Sequence, residues 1–156
     1  KARYYSKDLW QREIDKYMEL VKENRACGEL DHPESQVVNL KNVSHNIKDI
    51  SWDGDNIMGT IEILPTPSGN ILKALIDNGI KVGVSSRGMG SLEQNGDIME
   101  VQDDFELLCW DFVSTPSNPG SFMTLKEGKE NNINVYAKAN SIVTEILCAN
   151  GNCPIF

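Results

Sequence analysis

Apolar residues recur every three or four positions near the beginning of the chain, within residues 7–24. The stripe has six members: Leu9, Trp10, Ile14, Tyr17, Met18 and Val21. Charged residues fill the positions between them, which is the pattern of an amphipathic helix with one face in the core. Ser6 is a candidate N-cap because its hydroxyl can accept a free N–H of the first turn. We therefore predict a helix over 7–24 whose aromatic stripe packs into the core.

Two stretches of alternating apolar and polar residues follow, at 43–47 and 57–63, and the turn sequence Trp52-Asp53-Gly54-Asp55 lies between them. Alternation with period two indicates a strand with one buried face, and a turn between two such strands predicts a β-hairpin. The segment Gly28-Glu29-Leu30-Asp31-His32-Pro33 reads as a turn or extended segment, since Pro33 disfavours helical backbone at His32.

The rest of the chain alternates short helices and strands. A helix is expected to open at Thr66-Pro67-Ser68-Gly69 and to end near Gly79, where a left-handed C-cap fits. We predict strands at 81–85, 97–101 and 105–112, a polar loop at 125–132 and a last helix at 142–147. The pattern indicates a single α+β domain with mostly antiparallel strands and a few peripheral helices.

Composition narrows the class of function. The formal net charge is -8 and the pI is near 4.7, so the chain lacks the basic surface that binds phosphates, which argues against nucleic acid as a direct partner. No apolar stretch reaches the roughly 20 residues that span a bilayer, and we expect a soluble protein without a signal peptide. The cysteines, Cys27, Cys109, Cys148 and Cys153, are interpreted as free thiols in a reducing cytoplasm, with a Cys148–Cys153 bridge left open.

The chain has only two histidines, so an imidazole base working near neutral pH must be His32 or His45. His45 alternates with apolar residues on a predicted strand, where a structural or supporting role is the default interpretation. His32 lies in an irregular segment just before a proline, the kind of place where functional residues concentrate. The sequence therefore favours His32 as the base.

The run Gly83-Val84-Ser85-Ser86-Arg87-Gly88-Met89-Gly90-Ser91 ends a predicted strand with two hydroxyls and alternating glycines. One interpretation is a strand-to-turn junction that uses Ser and Gly for conformational freedom. The other is a serine nucleophile with glycine-permitted backbone amides nearby to stabilise an oxyanion. Arg87 stands where the second glycine of the GxSxG nucleophile elbow would be, which argues against an α/β-hydrolase. Residue types alone leave both interpretations open.

A serine–histidine pair needs a third group that orients the imidazole. Asp111 is suggestive because it lies in the apolar run from Cys109 to Val113, and an acid there normally has a partner. A solvent-facing position on a half-exposed strand explains the pattern equally well. Asp103 and Asp104 are more typical of an exposed turn.

A metal site is a second way to use the histidines, since His32, His45 and either Asp31 or Asp49 could ligate zinc. The short spacing of helical zinc motifs is absent. This alternative stays open at the level of the sequence.

Four segments together resemble one family, the prohead core proteases of T4-like tailed phages, whose fold is related to that of the herpesvirus assemblins. The segments are Gly28 to Pro33, Ile47 to Gly54, Gly83 to Gly90 and Val113 to Pro119. The resemblance covers residues 1–124, with Arg3-Tyr4-Tyr5 similar to the entry of the family's first helix, and it does not extend through the final residues. Family members usually carry a further N-terminal region, so we expect the chain to begin within a longer precursor.

The resemblance implies a small, mostly antiparallel β-barrel surrounded by helices, as in the herpesvirus proteases. It implies a serine endopeptidase that cleaves scaffold and major capsid proteins, usually after glutamate, inside the assembling prohead in the host cytoplasm. It also implies self-processing, and Ile142-Val143-Thr144-Glu145 is similar to a cleavage motif. No cofactor or membrane is implied, and a homo-oligomer is left open because related capsid proteases are activated by assembly. The alternative is a noncatalytic scaffold or capsid-assembly protein that has kept the protease fold.

The same resemblance implies roles for individual residues. Ser85, the first serine of its run, is the nucleophile, with Ser86 as the competing neighbour, and His32 is the base. Asp111 falls where the related fold places its third catalytic member, although the assemblins use a second histidine there. Candidates for oxyanion or substrate contacts come from the run itself: Ser86, Arg87, Gly88 and Gly90.

Overall fold

The computed structural model describes residues 2–118, 120–126 and 140–146. The α-helices in these ranges are α1 (Lys7–Lys22) and α2 (Pro67–Asp77), with a 3-10 turn at Leu40–Asn42. The strands are β1 (Ala2–Tyr4), β2 (Cys27–Glu29), β3 (Val43–Asp53), β4 (Asn56–Ile63), β5 (Gly83–Met89), β6 (Leu92–Asn95), β7 (Ile98–Val101), β8 (Glu106–Val113), β9 (Met123–Lys126) and β10 (Asn140–Ile146). This content confirms the predicted α+β class.

Helix α1 confirms the prediction from the apolar stripe, although it ends at Lys22 rather than at residue 24. The Ser6 hydroxyl caps it by accepting the Leu9 N–H at 3.1 Å. Its aromatic residues pack on β8, where the Tyr17 ring meets the Trp110 ring edge-on at 4.9 Å between centroids. The stripe is therefore part of the core, and it packs against the face of β8 that carries Trp110.

The predicted hairpin is confirmed as β3 and β4, with Gly54 at a φ of 62° in the turn. It forms the centre of a sheet ordered β2-β3-β4-β10-β9. The helix predicted at 142–147 is wrong for the described residues, because β10 pairs antiparallel with β4 throughout its length. Runs of β-branched residues favour strands, and β4 offers an edge for β10 to pair with. The first two residues of the predicted loop at 125–132 lie in β9, which ends at Lys126, and the remainder lies outside the described residues.

The other predicted elements are confirmed with shifted bounds. Helix α2 is capped by the Thr66 hydroxyl, which accepts the Gly69 N–H, and Gly79 follows at a φ of 76°. Strands β5, β7 and β8 match the three predicted strands. Four short strands were not predicted: β1, β2, β6 and β9. Strand β1 pairs parallel with β7, and every other ladder between the described strands is antiparallel.

The expected closed β-barrel surrounded by helices is not formed by the described strands. Strands β5 and β8 make a separate two-stranded ribbon. Single bridges join this ribbon to both edges of the five-stranded sheet. Leu30, just after β2, pairs with Phe112, and Phe122, just before β9, pairs with Gly83. The sheet and the ribbon thus share an apolar core that includes Val84, but no continuous ladder of described residues joins the ribbon to either edge of the sheet.

No helix in the described part of the chain is both long enough and apolar enough to cross a membrane.

Candidate active site

The β5–β8 ribbon brings two of the predicted site residues face to face. Ser85 lies directly opposite Asp111 in the antiparallel register. Side chains of such a pair project from the same face with their Cβ atoms about 4.5–5.5 Å apart. Ser86 is the next residue along the strand, so its side chain projects from the opposite face. The ribbon therefore puts Ser85, and not Ser86, on the face that carries Asp111.

His32 reaches the same face through a bend in the chain after β2. The Asp31 N–H donates to the Phe112 carbonyl at 2.8 Å, which fixes the chain beside β8. Asp31 then adopts a φ of 72°, a left-handed conformation that is uncommon outside glycine. The bend places His32 Nδ1 3.0 Å from Asp111 Oδ2. At this distance the carboxylate can hold a proton on Nδ1, and Nε2 is then left to exchange protons with another group.

Asp111 is fully buried and surrounded by donors. Its Oδ1 accepts the Glu29 backbone N–H at 3.0 Å and the Cys109 thiol at 3.3 Å. Burial raises the pKa of Asp111, but the His32 contact, the Glu29 N–H and the positive charge of Arg87 outweigh it, and the net pKa is lowered. Asp111 is therefore held as a carboxylate, the form that orients and stabilises an imidazolium.

Arg87 lies beneath this carboxylate and is only 4% exposed. Its Nε is 2.9 Å from Asp111 Oδ2, while the N–H itself points to the Cys109 sulfur at 3.3 Å. Its Nη2 donates to Glu29 Oε2 at 2.6 Å, and its Nη1 donates to the Ser35 carbonyl at 3.1 Å. The guanidinium of this predicted substrate or oxyanion contact is thus occupied by internal partners.

The two glycines after Arg87 have a packing explanation. A Cβ on Gly88 would lie 2.5 Å from Phe105 Cε2, and one on Gly90 would lie 2.8 Å from Phe105 Cα. Both positions need glycine because Phe105 approaches so closely. Their backbone amides stay candidates for oxyanion contacts, as predicted from the sequence.

Ser117 also reaches the nucleophile candidate, and the sequence reasoning did not single it out. The hydroxyl oxygens of Ser85 and Ser117 are 3.4 Å apart. The loop that carries Ser117 can approach because Gly83 has no side chain, and a Cβ there would lie 2.6 Å from Pro116 Cδ. The turn-rich segment after β8 was a usable signal, but its position over β5 depends on the fold.

His45 takes no part in this cluster. It is fully buried, and its Nε2 donates to the Trp110 carbonyl at 2.9 Å while its Nδ1 accepts the Ser44 hydroxyl at 2.8 Å. Burial is the main reason that its pKa is lowered to about 4. Its structural role is as expected from the strand pattern, and both ring nitrogens are already used.

The metal alternative needs His32 and His45 in one site. Within the described ranges, no group of three or more His, Cys, Asp or Glu side chains is placed to hold a metal ion. The carboxylates suggested for that site, Asp31 and Asp49, are both exposed. The possible Cys148–Cys153 bridge lies outside the described residues.

A family model described as "prohead core protein serine protease" matches residues 1–133. The chain belongs to this family. It is 34% identical over 130 residues to the prohead core protein protease of Enterobacteria phage T4, an alignment that covers 80% of this chain and 61% of that protein. The chain thus spans less than two thirds of the relative's length. The structure of the bacteriophage T4 capsid assembly protease is similar with a TM-score of 0.70 and 29% identity, covering 74% of this chain and 73% of that one.

Proposed function

We propose that this chain is the catalytic part of a serine endopeptidase that cleaves scaffold and major capsid proteins within the assembling prohead. Family membership supports the reaction class. The observation that carries the proposal is the contact of His32 Nδ1 with the buried Asp111 carboxylate at 3.0 Å, with Ser85 directly across the ladder from Asp111. A nucleophile, a base and an orienting acid on one face are the parts that acyl transfer requires.

In the proposed mechanism His32 Nε2 takes the proton of the Ser85 hydroxyl as its oxygen attacks the scissile carbonyl carbon. The Asp111 carboxylate stabilises the imidazolium that forms. The imidazolium then gives its proton to the leaving amine, and the peptide C–N bond breaks to leave an ester on Ser85. Water attacks the ester with His32 again as base, which releases the acid product and restores the hydroxyl.

The hydrogen bond between Ser85 and Ser117 supports Ser85 as the nucleophile over Ser86. A neighbouring hydroxyl at 3.4 Å can keep the nucleophile's oxygen in one rotamer, and it can also donate to a substrate oxygen. Ser85 is 6% exposed, so the attacking oxygen lies in a largely dry surrounding where electrostatic stabilisation is strong.

The test is labelling with a fluorophosphonate probe together with cleavage of the phage's scaffold protein. We expect the label on Ser85, and Ser85→Ala should lower the cleavage rate by about 10³-fold or more without loss of fold. Ser86→Ala is the matched control and should still be labelled and still cleave. Labelling of Ser86 in place of Ser85, or cleavage by Ser85→Ala at the wild-type rate, would overturn the assignment. Absence of both labelling and cleavage in the wild-type chain would favour the noncatalytic assembly protein.

Cleavage after glutamate and self-processing are further parts of the proposal, and they rest on the family resemblance. The candidate self-processing site after Glu145 lies on β10, whose backbone is paired with β4. A strand in a ladder does not fit an endopeptidase site, so cleavage there requires β10 to leave the sheet. Mass spectrometry of the incubated protein should find a new C-terminus at Glu145 in the wild type and none in Ser85→Ala. An intact chain in fully active enzyme would refute self-processing at this position.

The relation in fold to the herpesvirus assemblins likewise stays an inference from the sequence resemblance.

A further inference from the structure

We propose that Arg87 is a positioning residue that, together with Glu29, holds Asp111 and the His32 segment in one arrangement. The inference rests on the proposed function of Ser85 and His32, and it assigns the buried ion pairs beneath them a part in the same reaction. Arg87 and Glu29 act through Asp111 and the segment that carries His32, so they are positioning residues and not catalytic ones.

Arg87 connects segments that are far apart in the sequence. The guanidinium contacts three separate parts of the chain: Asp111 on β8, Glu29 at the end of β2 and the Ser35 carbonyl in the segment after His32. Arg87 therefore joins the elements on both sides of His32 to the strand that carries the acid. A planar fork with several fixed N–H directions can do this, whereas the ammonium group of a lysine cannot match all of its directions.

The buried ion pairs also set the charge next to His32. With both carboxylates ionised, Glu29 and Asp111 outweigh Arg87 and leave the cluster one negative charge. That charge is balanced when His32 becomes an imidazolium next to Asp111. Without Glu29, Arg87 would neutralise Asp111 and leave less field to stabilise the imidazolium. Glu29 thus offsets Arg87, so that the pair fixes the geometry without cancelling the charge that His32 uses.

Burial makes this arrangement rigid. The side chains of Arg87 and Glu29 are 5% and 1% exposed, so water cannot replace either partner. Removing one member of such a pair leaves an uncompensated buried charge, which is strongly destabilising. A purely structural ion pair would show the same burial, so the test must measure more than stability.

The first test is a readout that does not depend on activity, the ¹⁵N chemical shifts of the two imidazoles. In the wild type, His32 should carry its proton on Nδ1 and His45 on Nε2, as their acceptors require. The double variant Arg87→Met/Glu29→Gln removes both charges together and so avoids the unpaired buried charge. We expect it to shift His32 toward a mixture of tautomers and to leave His45 unchanged. A pure Nδ1–H tautomer of His32 in the folded double variant would overturn the proposal.

The second test is kinetic. In the double variant we expect kcat to fall by about 10²-fold with little change in KM, as a small misplacement of a catalytic group produces. Arg87→Lys keeps the positive charge but loses the planar guanidinium, and its kcat should lie between those of the wild type and the double variant. Removing the Arg87 charge alone, in Arg87→Met, should also move the acidic limb of the pH–rate profile to higher pH, because Asp111 is then protonated more readily. An unchanged kcat in folded Arg87→Lys and double variants would refute the idea.

Arg12→Met is the matched control for loss of a structural arginine. Arg12 pairs with Glu13 and donates to the Asp103 and Phe105 carbonyls, away from Ser85. It should lower stability while leaving the pH–rate profile and the His32 tautomer unchanged. If wild-type protein does not cleave at all, the proposed function fails, but the tautomer measurement still decides whether Arg87 and Glu29 position His32.

Discussion

Lowering the pH should destabilise this protein through His45 in particular. The ring is fully buried and neutral, and it fits its site only with one nitrogen as donor and the other as acceptor. Its folded pKa is about 4, below the ordinary value of 6.5, so the unfolded chain binds a proton that the folded chain rejects. Stability from this group is therefore complete above pH 6.5 and is lost as the pH falls toward 4.

The magnitude follows from the difference between the two pKa values. One pKa unit corresponds to 1.36 kcal/mol, so a fall from 6.5 to about 4 corresponds to about 3 kcal/mol of unfolding free energy. A domain of this size has a total stability of about 5–15 kcal/mol, so His45 accounts for a substantial part of its acid sensitivity. Other groups titrate in the same range, so a variant is needed to isolate the contribution.

His45→Gln supplies that comparison, since a glutamine amide can donate to the Trp110 carbonyl and accept from Ser44 without titrating. Urea unfolding followed by tryptophan fluorescence should show a wild-type advantage near pH 7.5. That advantage should shrink, by about 3 kcal/mol in all, as the pH falls to about 4. A difference between wild type and His45→Gln that stays constant from pH 7.5 to 4.5 would refute the reasoning.

Two further predictions concern packing and thiol chemistry. Gly28→Ala should destabilise the fold by about 3 kcal/mol or more in urea unfolding, because its Cβ would lie 2.0 Å from the Trp110 carbonyl oxygen. Gly59→Ala, whose Cβ would meet only ordinary contact at 3.5 Å, should cost much less, and equal losses would contradict the packing argument. Iodoacetamide should modify Cys27 before Cys109 in the native protein, as mapped by mass spectrometry, because Cys109 is fully buried and burial raises the pKa of its thiol to about 12. Early modification of Cys109 would show that the site opens readily.

The sequence was sufficient for the elements that form through local rules. The amphipathic stripe, its Ser6 cap and the turn at Gly54 specified α1 and the hairpin, because helical and strand periodicities depend only on nearby residues. Periodicity failed at 142–147, where a run of apolar residues fits a helix or a strand equally well. Pairing with β4 decided that segment.

The residues that carry the proposed chemistry were also found in the sequence, but their relation to one another was not. Ser85, His32 and Asp111 stand in three separate segments, and only the ladder between β5 and β8 and the left-handed bend at Asp31 bring them to one face. The same register settled which of two adjacent serines shares that face.

Only the tertiary structure shows which groups Arg87 and Glu29 contact. In the sequence they are two charged residues in different motifs, and Arg87 is one of several candidates for an oxyanion or substrate contact. Their burial against Asp111 turns them into internal partners, since a charge removed from water must find its counter-charge within the fold. Local sequence determined α1, α2 and the β3–β4 hairpin, whereas long-range pairing decided β10 and which side chains meet.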